Sequence, residues 1–502
     1  MRIMLEAPLC DEAMEVLRQS GAELITSERL EGVARCDAAV LTEGKAAPEE
    51  LYQETSALKV VGILSRNDKS LDIKRATRAG EAVLSPRHGQ ASSVADYVFY
   101  LMLSLARGEE GILCELKGKR LGLLGFPPMA ADIAKRAKAF DMSVLSYDPE
   151  MNRGRATLYG VEPTSLVDLF VQSDFLVLLA DGTRWSRSLV GKDEIQLMPE
   201  DAALICVTAP SIFNWDELVR ALDWGYLKHF AIDLPQKNAH LSYDVQKYGL
   251  VTLAQVANTQ EARIGNECEI ARDLLLSLEG KQVGTSVNVP RLYQKDSPLV
   301  KAWCRISYIL GLFLGQRLSA WPKAVQLEIA SDVPESEEFV LTAAIYMGLA
   351  QGLGEGSANM INAEMIVKER GLVLEKKVAP EAAAGLRLSL VQNDTQFTLA
   401  GTLQAGREMI TEVDGYAIAA APCEHLLLVP HINRPGLVGQ VGTFLGEKNV
   451  NIAEMVLGHK PLDRSTALMW IHAEEPLSQT ALEESRKLGS VLNMEYIHLP
   501  NC

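Results

Sequence analysis

One stretch in the first half of the chain constrains the fold more than any other. Residues 121–149 contain an apolar strand that ends at Gly125, a tight turn, an amphipathic helix, a second apolar strand and an acidic residue at its tip, Asp148. Asp148 follows Gly125 by 23 positions. This order and spacing are typical of the βαβ unit of dinucleotide-binding folds, where an acidic side chain contacts the ribose. The stretch therefore predicts an α/β domain of that kind.

The turn itself departs from the G-x-G-x-x-G pattern. The three glycine positions hold Gly125, Pro127 and Ala130. The second glycine normally lets the backbone approach a pyrophosphate, to which the amides of the turn donate hydrogen bonds. Neither Pro127 nor Pro128 has an N–H to donate, although Pro128 suits the first position of a helix. We therefore expect the architecture to be kept and the phosphate site to be weakened.

Composition argues against several classes of protein. The 502 residues are 48% hydrophobic and 23% charged, which is typical of a globular chain of three or four domains. A net charge of −16 without a basic run argues against a nucleic-acid or anionic-membrane partner. The eight cysteines form no C-x-x-C pair, so we expect a reduced, cytoplasmic protein without a metal site. No run of 18 apolar residues predicts a membrane span.

Short apolar strands alternate with helical segments in the first half of the chain, which predicts parallel sheets with helices on their faces. A long helix over residues 92–107 is expected to enter the second domain, and a helix over residues 261–278 to return to the first. The other predicted elements are a helix over Asp11–Gln19 and strands over residues 1–5, 38–41, 60–64, 175–179, 203–207, 229–232 and 249–253.

Four segments carry a resemblance to a known family: Gly118-Lys-Arg-Leu-Gly-Leu-Leu-Gly, Ala134-Lys-Arg-Ala-Lys-Ala-Phe, Tyr147-Asp-Pro and Asn258-Thr-Gln-Glu-Ala. In these segments and in the order of its elements, the chain resembles the D-2-hydroxyacid dehydrogenases, specifically the long D-3-phosphoglycerate dehydrogenases of serine biosynthesis. The resemblance implies an α/β fold with a Rossmann-like nucleotide-binding domain inserted in a flavodoxin-like substrate domain. An α+β intervening domain, of the kind that binds substrate allosterically, and a βαββαβ ACT regulatory domain follow.

The implied domain boundaries follow from the matching segments. They are residues 1–95 with 263–290 for the substrate-type domain, 96–262 for the nucleotide-binding domain, 291–420 for the intervening domain and 424–502 for the ACT domain. A Trp-containing arm that helps dimerisation in this family is shortened here to the seven residues 108–114. The ACT domain, which pairs edge to edge with another copy, offers a second route to a homo-oligomer.

The resemblance also implies which residues transfer a hydride: a histidine base, a glutamate that tunes it and an arginine that holds the substrate carboxylate. In this chain the arginine position holds Pro210 or Ser211, depending on the register chosen. The glutamate position holds Asn238 and the histidine position holds Ala254. None of the three groups is in place, so we predict no catalytic residues. A rebuilt site is the alternative, with His240 or His229 and Arg66 or Arg263 as the nearest substitutes.

NAD is the cofactor that the resemblance implies. Gly125 and Asp148 are the candidate cofactor-binding residues, and Pro127 and Pro128 put that binding in doubt. Asp148 is either a ribose ligand or a simple loop aspartate. The loop over residues 63–67 replaces a glycine-rich segment that binds the substrate carboxylate in the family.

The ACT-like region keeps a complete set of candidate effector ligands. His431, Asn433 and Asn451 match the histidine and two asparagines that hold serine in inhibited family members, and Asn451 follows Asn433 by 18 positions. Amide and imidazole groups suit an amino acid because they pair with its carboxylate, ammonium or hydroxyl. The alternative is that Asn433 only caps a turn and His431 only packs a strand end. Apolar positions 437, 438, 441 and 445 predict the buried face of the following helix.

Two functions compete at this point. The first is a catalytically inactive homologue that binds L-serine or a similar amino acid and acts as a regulatory or scaffolding protein, with an active paralogue as a further partner. The second is an active NAD-dependent dehydrogenase of 3-phosphoglycerate or another 2-hydroxy acid with a rebuilt site.

Overall fold

A computed structural model describes most of the chain. It covers residues 1–27, 32–42, 47, 49–52, 57–64, 71–107, 112–149, 153–180, 186–208, 210–290, 297–334, 337–378, 384–392 and 395–500. Two compact units divide it. Unit 1 comprises Met1–Pro48, Val60–Leu71 and Leu84–Thr285, and unit 2 comprises Glu49–Lys59, Asp72–Val83 and Ser286–Cys502.

The first sheet has five strands in the order β2-β1-β3-β4-β5, which is the flavodoxin-like order. Strand β1 pairs in parallel with β2 on one side and with β3 on the other. The central strand β3 is buried along its whole length, as expected for a strand covered on both faces. The elements are β1 (Arg2–Leu5), α1 (Asp11–Gln19), β2 (Glu23–Thr26), β3 (Ala38–Leu41), β4 (Val60–Ile63), α2 (Ile73–Ala79), β5 (Ala82–Leu84) and α3 (Ala91–Arg107).

The second sheet lies in unit 1 and has seven parallel strands. Its elements are β6 (Arg120–Leu124), α4 (Pro128–Ala139), β7 (Ser143–Tyr147), α5 (Arg153–Tyr159), β8 (Glu162–Pro163), α6 (Leu166–Gln172), β9 (Phe175–Leu178), α7 (Lys192–Gln196), β10 (Ala203–Cys206), α8 (Trp215–Asp223), β11 (His229–Leu234), α9 (Ser242–Val245), β12 (Leu250–Leu253) and α10 (Gln260–Leu278). The order β12-β11-β10-β9-β6-β7-β8 reverses direction between β6 and β9, as in Rossmann folds. The predicted α/β class and these parallel sheets are confirmed.

Unit 2 is built on two long helices that cross at glycines. They are α11 (Pro298–Arg317) and α12 (Glu338–Gly352), and the shorter α13 (Ala363–Glu369) follows. A Cβ atom on Gly311 would clash with the carbonyl oxygen of Ile345, and one on Gly348 would clash with that of Tyr308. Only glycine lets the two backbones approach this closely. Their burial forms the core of unit 2, with Phe313 fully buried.

A ten-stranded sheet covers these helices in unit 2, in the order β14-β13-β15-β16-β17-β18-β20-β21-β19-β22. Its first strands are β13 (Ala324–Ile329), β14 (Val373–Val378), β15 (Leu386–Gln392), β16 (Thr395–Gln404), β17 (Arg407–Val413) and β18 (Tyr416–Ala420). The remaining elements are β19 (His425–Ile432), α14 (Leu437–Glu447), β20 (Ile452–His459), β21 (Thr466–Ala473), α15 (Gln479–Ser485) and β22 (Glu495–His498). The last six form the βαββαβ arrangement that the sequence predicted.

The βαββαβ region is joined to the rest of unit 2 along its sheet and through α11. A bridge between Ala417 and His459 connects β18 to β20. The ring of Phe313 stacks on Trp470 with centroids 6.0 Å apart. The side chain of Gln316 donates to the carbonyl oxygen of His498 (2.7 Å) and accepts from its N–H (3.0 Å). This amide therefore occupies the outward-facing backbone groups of the edge strand β22.

Arg317, next to Gln316, forms a largely buried ion cluster. Its guanidinium lies 2.7 Å from the carboxylate of Asp414 and 2.6 Å from that of Glu495, and its side chain is 8% exposed. Burial works to lower the pKa of Arg317, but the two carboxylates outweigh it and the pKa is raised. The cluster ties α11 to the β17–β18 turn and to β22.

Val438 was predicted to face the core of α14, but it is 44% exposed, and Phe444 takes its place among the buried residues. Position 444 lies seven residues after Leu437 and so falls on the same helical face.

Among the described residues, α11 alone is long and apolar enough to span a membrane by length and composition, and 61% of its apolar window is buried inside the structure.

Candidate functional site

The first candidate site lies where β6 ends, at the carboxyl edge of the seven-stranded sheet. In doubly wound sheets ligands bind at this edge, beside the point where strand order reverses. Gly125 has a φ of +89°, and a Cβ atom there would lie 2.8 Å from the Cα of Ala180. Glycine is required at this position by the backbone conformation and by the neighbouring strand end. The turn thus keeps the geometry of a nucleotide-binding fold.

The hydrogen-bond donors of this turn are missing or used. The N–H of Phe126 donates to the carboxylate of Asp148 at 2.6 Å, and the N–H of Ala130 donates to the carbonyl oxygen of Pro127 at 2.9 Å. Pro127 and Pro128 have no N–H. Within residues 126–130, the N–H of Met129 is therefore the one backbone donor left for a ligand. Asp148, predicted as a ribose ligand or a loop aspartate, thus holds the turn closed.

A second carboxylate at this edge of the sheet is paired in the same way. The carboxylate of Asp233, at the end of β11, is buried and accepts three hydrogen bonds. They come from the hydroxyl of Thr252 (2.7 Å) and the backbone N–H groups of Gln255 (3.0 Å) and Val256 (3.1 Å). With all three donors drawn to it, this carboxylate has a structural role, because it fixes the turn after β12.

The four positions where catalytic residues were expected also lie at this edge. Pro210 is buried at the start of a short 3-10 helix, and the backbone carbonyl of Ser211 accepts from Ser188 at 2.8 Å. Asn238 lies in a second 3-10 helix after β11. Ala254 is exposed directly after β12, with a φ of +52°. None of these side chains transfers a proton at neutral pH.

The substitutes considered for a rebuilt site are scattered. His229 begins β11, so it lies at the opposite, amino edge of the sheet, and the hypothesis that it serves this site is wrong. Burial lowers the pKa of His229. His240 is exposed in the 3-10 helix that holds Asn238, and Arg263 lies on α10, 4.0 Å from Glu267. Arg66 and Asn67 lie outside the described residues.

The second candidate site is in the βαββαβ region. His431 is only 4% exposed, and its Nδ1 lies 2.9 Å from the carbonyl oxygen of Val429. Because a carbonyl only accepts, Nδ1 carries the proton and Nε2 is an acceptor in the neutral ring. The exposed Asn433 donates its amide to the carbonyl oxygen of Arg464 at 3.0 Å. Both side chains are thereby fixed with an acceptor atom left to bind a ligand.

Asn451, the third predicted effector ligand, is at the other end of the same sheet. It precedes Ile452, which lies opposite Ala473 at one end of β21. His431 lies opposite Ala467 at the other end. Six residues of extended chain separate Ala467 from Ala473, which corresponds to roughly 20 Å along the strands. A single chain therefore does not bring the three predicted ligands together.

The sequence did not single out the groups that hold Asn451. Its side-chain amide donates to the carboxylate of Glu474 (2.7 Å) and its backbone N–H donates to that of Glu475 (2.8 Å). The backbone N–H of Glu474 in turn donates to the carbonyl oxygen of Asn451 (3.0 Å). The two glutamates follow β21, and they lie next to Asn451 only because β20 and β21 pair. The one sequence signal is the Glu-Glu pair directly after an apolar strand.

Comparison with known families identifies two of the domains. Residues 104–257 match the NAD binding domain of the D-isomer specific 2-hydroxyacid dehydrogenases, and residues 299–413 match the D-3-phosphoglycerate dehydrogenase intervening domain. D-3-phosphoglycerate dehydrogenase from Archaeoglobus fulgidus is 26% identical over 99% of this chain and 100% of its own length. The enzyme from Methanocaldococcus jannaschii has the same identity and coverage. NAD-bound 3-phosphoglycerate dehydrogenase of Entamoeba histolytica covers 57% of this chain and 98% of its own, with 18% identity and a TM-score of 0.47.

The fold and the matching NAD binding domain define a protein of the D-2-hydroxyacid dehydrogenase class. With the intervening domain and the full-length similarity added, the chain is a diverged relative of the long D-3-phosphoglycerate dehydrogenases, with substituted catalytic positions. The resemblance inferred from its motifs is confirmed. The residue boundaries proposed for the four domains stay predictions.

NAD is the cofactor of the matching domain, and in such folds its pyrophosphate contacts the turn after the first strand of the nucleotide-binding sheet. A pyrophosphate needs several backbone N–H groups at the start of the helix. Here two of the donors in residues 126–130 are replaced by proline, and those of Phe126 and Ala130 are donated elsewhere. The residues present do not fit the pyrophosphate of a dinucleotide. Among the described residues no cluster of three or more His, Cys, Asp or Glu is placed to hold a metal ion.

Proposed function

We propose that this chain is a D-3-phosphoglycerate dehydrogenase-like protein of serine metabolism that does not catalyse hydride transfer. Instead, the chain acts as an amino-acid-responsive regulatory or scaffolding homologue, with L-serine or a similar amino acid as its effector. It associates as a homo-oligomer, and an active paralogue of the same architecture is a further partner.

The observation that carries the loss of catalysis is the hydrogen bond from Phe126 to Asp148. It supports the proposal because it occupies two groups that a dinucleotide would need, one at the pyrophosphate and one at the ribose. The substituted positions Pro210, Asn238 and Ala254 support it independently. General acid–base catalysis alone contributes about 10²- to 10⁴-fold, so loss of the base and of the dinucleotide site together removes most of the rate.

The effector site is proposed to form between two copies of the chain. His431 and Asn433 lie at one end of the βαββαβ sheet, and Asn451 lies at the other. If two copies pair about a two-fold axis beside β20, opposite ends meet, and Asn451 of one copy faces the histidine and asparagine of the next.

A ligand screen on the full chain tests the proposal. Thermal unfolding is measured with NADH, NAD, 3-phosphoglycerate and L-serine, each over a range of concentrations. We expect L-serine alone to raise the Tm, because a ligand that binds only the folded state stabilises it. His431→Ala is expected to abolish that rise. Oxidation of 3-phosphoglycerate with NAD at ordinary dehydrogenase rates would contradict the loss of catalysis.

An active dehydrogenase with a rebuilt site is the second candidate. The full-length similarity to named dehydrogenases favours it, and so does His240, which lies two residues after Asn238 on the same 3-10 helix. This candidate requires tight NADH binding in calorimetry and a reaction rate that falls with His240→Ala. Absence of any heat of NADH binding counts against it.

A further inference from the structure

The pair of glutamates beside Asn451 bears on which amino acids the proposed effector site accepts. Glu474 and Glu475 follow β21 and are both exposed, and their carboxylates hold the side-chain amide and the backbone N–H of Asn451. Two negative charges therefore lie in contact with one of the three predicted ligand residues. Any role of these charges in ligand selection rests on the effector site proposed above.

The atoms left to bind a ligand are mainly acceptors. One amide hydrogen of Asn451 is donated to Glu474, and one of Asn433 is donated to the carbonyl oxygen of Arg464. His431 donates from Nδ1 to Val429, which leaves Nε2 as an acceptor. The remaining acceptors are thus two amide oxygens and one ring nitrogen. An ammonium group, with three N–H donors and no acceptor, complements these acceptors, whereas a carboxylate is limited to the one N–H left on each asparagine.

The charges around Asn451 also favour an ammonium group there. A ligand carboxylate or phosphate close to Asn451 would be repelled by Glu474, because like charges a few ångströms apart are unfavourable. Arg434, exposed beside Asn433, is the cation nearest in sequence to the other half-site. A zwitterionic effector is therefore oriented with its ammonium toward Asn451 and its carboxylate toward the half-site of His431.

We propose that Glu474 is a specificity-determining residue, which selects the ammonium end of the effector and rejects amino acids that carry a second negative charge. The site then accepts small neutral amino acids such as L-serine and excludes acidic and phosphorylated ones. Glu474 acts on the ligand through its charge and through the side chain of Asn451 that it positions.

The test compares L-serine with O-phospho-L-serine, L-aspartate and glycerate, which lacks the ammonium, by calorimetry on the full chain. The wild-type protein is expected to bind L-serine far more tightly than each of the other three. Glu474→Gln keeps an oxygen that accepts from Asn451 but removes the charge. We expect the ratio of the affinity for L-serine to the affinity for O-phospho-L-serine to fall by about tenfold or more in this variant.

Glu483→Gln is the matched control, because Glu483 is an exposed glutamate on α15 of the same region. It should leave the ratio of the two affinities unchanged. L-serine binding with an unchanged ratio in Glu474→Gln would overturn the role of Glu474 and leave the proposed function intact. If no amino acid binds the wild-type chain, both the proposed function and this inference fail.

Discussion

The carboxylate of Asp148 accepts a 2.6 Å hydrogen bond from the backbone N–H of Phe126, across the turn that faces a dinucleotide in related folds. A carboxylate of the protein itself thus pairs with the backbone N–H that would lie beside a phosphate of the dinucleotide in related folds. The side chain of Phe126 is buried in the core of the same domain at 1% exposure, which fixes the direction of that amide. The turn is therefore complete without a ligand.

This contact predicts that Asp148 contributes to stability and not to cofactor binding. Asp148→Ala removes the acceptor for the N–H of Phe126, so we expect the free energy of unfolding to fall by about 1–3 kcal/mol. NADH should bind neither protein in calorimetry. Asp132→Ala, at a half-exposed acid on α4 that lies 4.0 Å from Arg136, is the control and should change stability by less than about 0.5 kcal/mol. NADH binding that is present in the wild type and lost in Asp148→Ala would identify Asp148 as a ribose ligand.

The glycine crossing of α11 and α12 predicts a large effect of one methyl group. Gly311→Ala places a Cβ atom against the carbonyl oxygen of Ile345, and forcing the helices apart should cost at least about 2 kcal/mol. Gly442→Ala on α14 is the matched control, because no atom lies within 4 Å of its added Cβ. That substitution should be neutral or stabilise by up to about 1 kcal/mol. Chemical denaturation followed by circular dichroism separates the two outcomes.

Glu81 predicts how the stability of the chain depends on pH. It is 1% exposed, neither carboxylate oxygen has a hydrogen-bond partner, and burial raises its pKa from 4.5 to about 8. Between these values the folded state keeps a proton that the unfolded state releases, so stability falls as pH rises from 5 to 8. The loss reaches up to about 4 kcal/mol by pH 8.

Glu81→Gln should remove that slope, since an amide does not titrate. Urea denaturation of both proteins at pH 5 and pH 8 measures it, and the variant should be the more stable of the two at pH 8. Equal pH dependence in both proteins would show that Glu81 ionises normally in the fold. Glu483→Gln, at an exposed glutamate, controls for the loss of one charge.

Arg317 predicts a strong requirement for a buried cation in unit 2. Arg317→Ala leaves the carboxylates of Asp414 and Glu495 without their partner, and breaking a buried ion cluster in this way costs about 3–5 kcal/mol. Arg305→Ala, in which a half-exposed guanidinium 3.8 Å from Glu408 is lost, should cost no more than about 1 kcal/mol. Similar losses in the two variants would mean that the cluster around Arg317 is no stronger than a surface ion pair.

The separation of His431 from Asn451 predicts complementation between defective chains. His431→Ala and Asn451→Ala should each abolish L-serine binding alone. A mixed pair contains one site with both wild-type residues, so a refolded equal mixture should recover about a quarter of the wild-type sites in calorimetry. Recovery of none would place all of the ligands in one chain or exclude the site. The double variant, mixed with itself, is the control and should recover none.

Much of the fold could be predicted from local pattern, and the decisive contacts could not. Strands such as β3 and β9 are short apolar runs buried on both faces, so composition alone locates them. The partner of Asp148 depends on how closely a strand tip approaches a turn 22 residues earlier. The distance between His431 and Asn451 depends on the strand order β20-β21-β19, which sequence spacing does not reveal.

Gln316 finally bears on how many copies an assembly through the ten-stranded sheet contains. Its amide holds the outward N–H and carbonyl of His498 on β22, and the other terminal strand, β14, exposes the charged side chains of Glu375, Lys376 and Lys377. Occupied or charged edges resist addition of another strand. If two copies pair beside β20 as proposed above, neither end of the sheet offers an open edge to a third copy. We therefore expect assembly to stop at a dimer and not to continue into a fibre of edge-paired sheets.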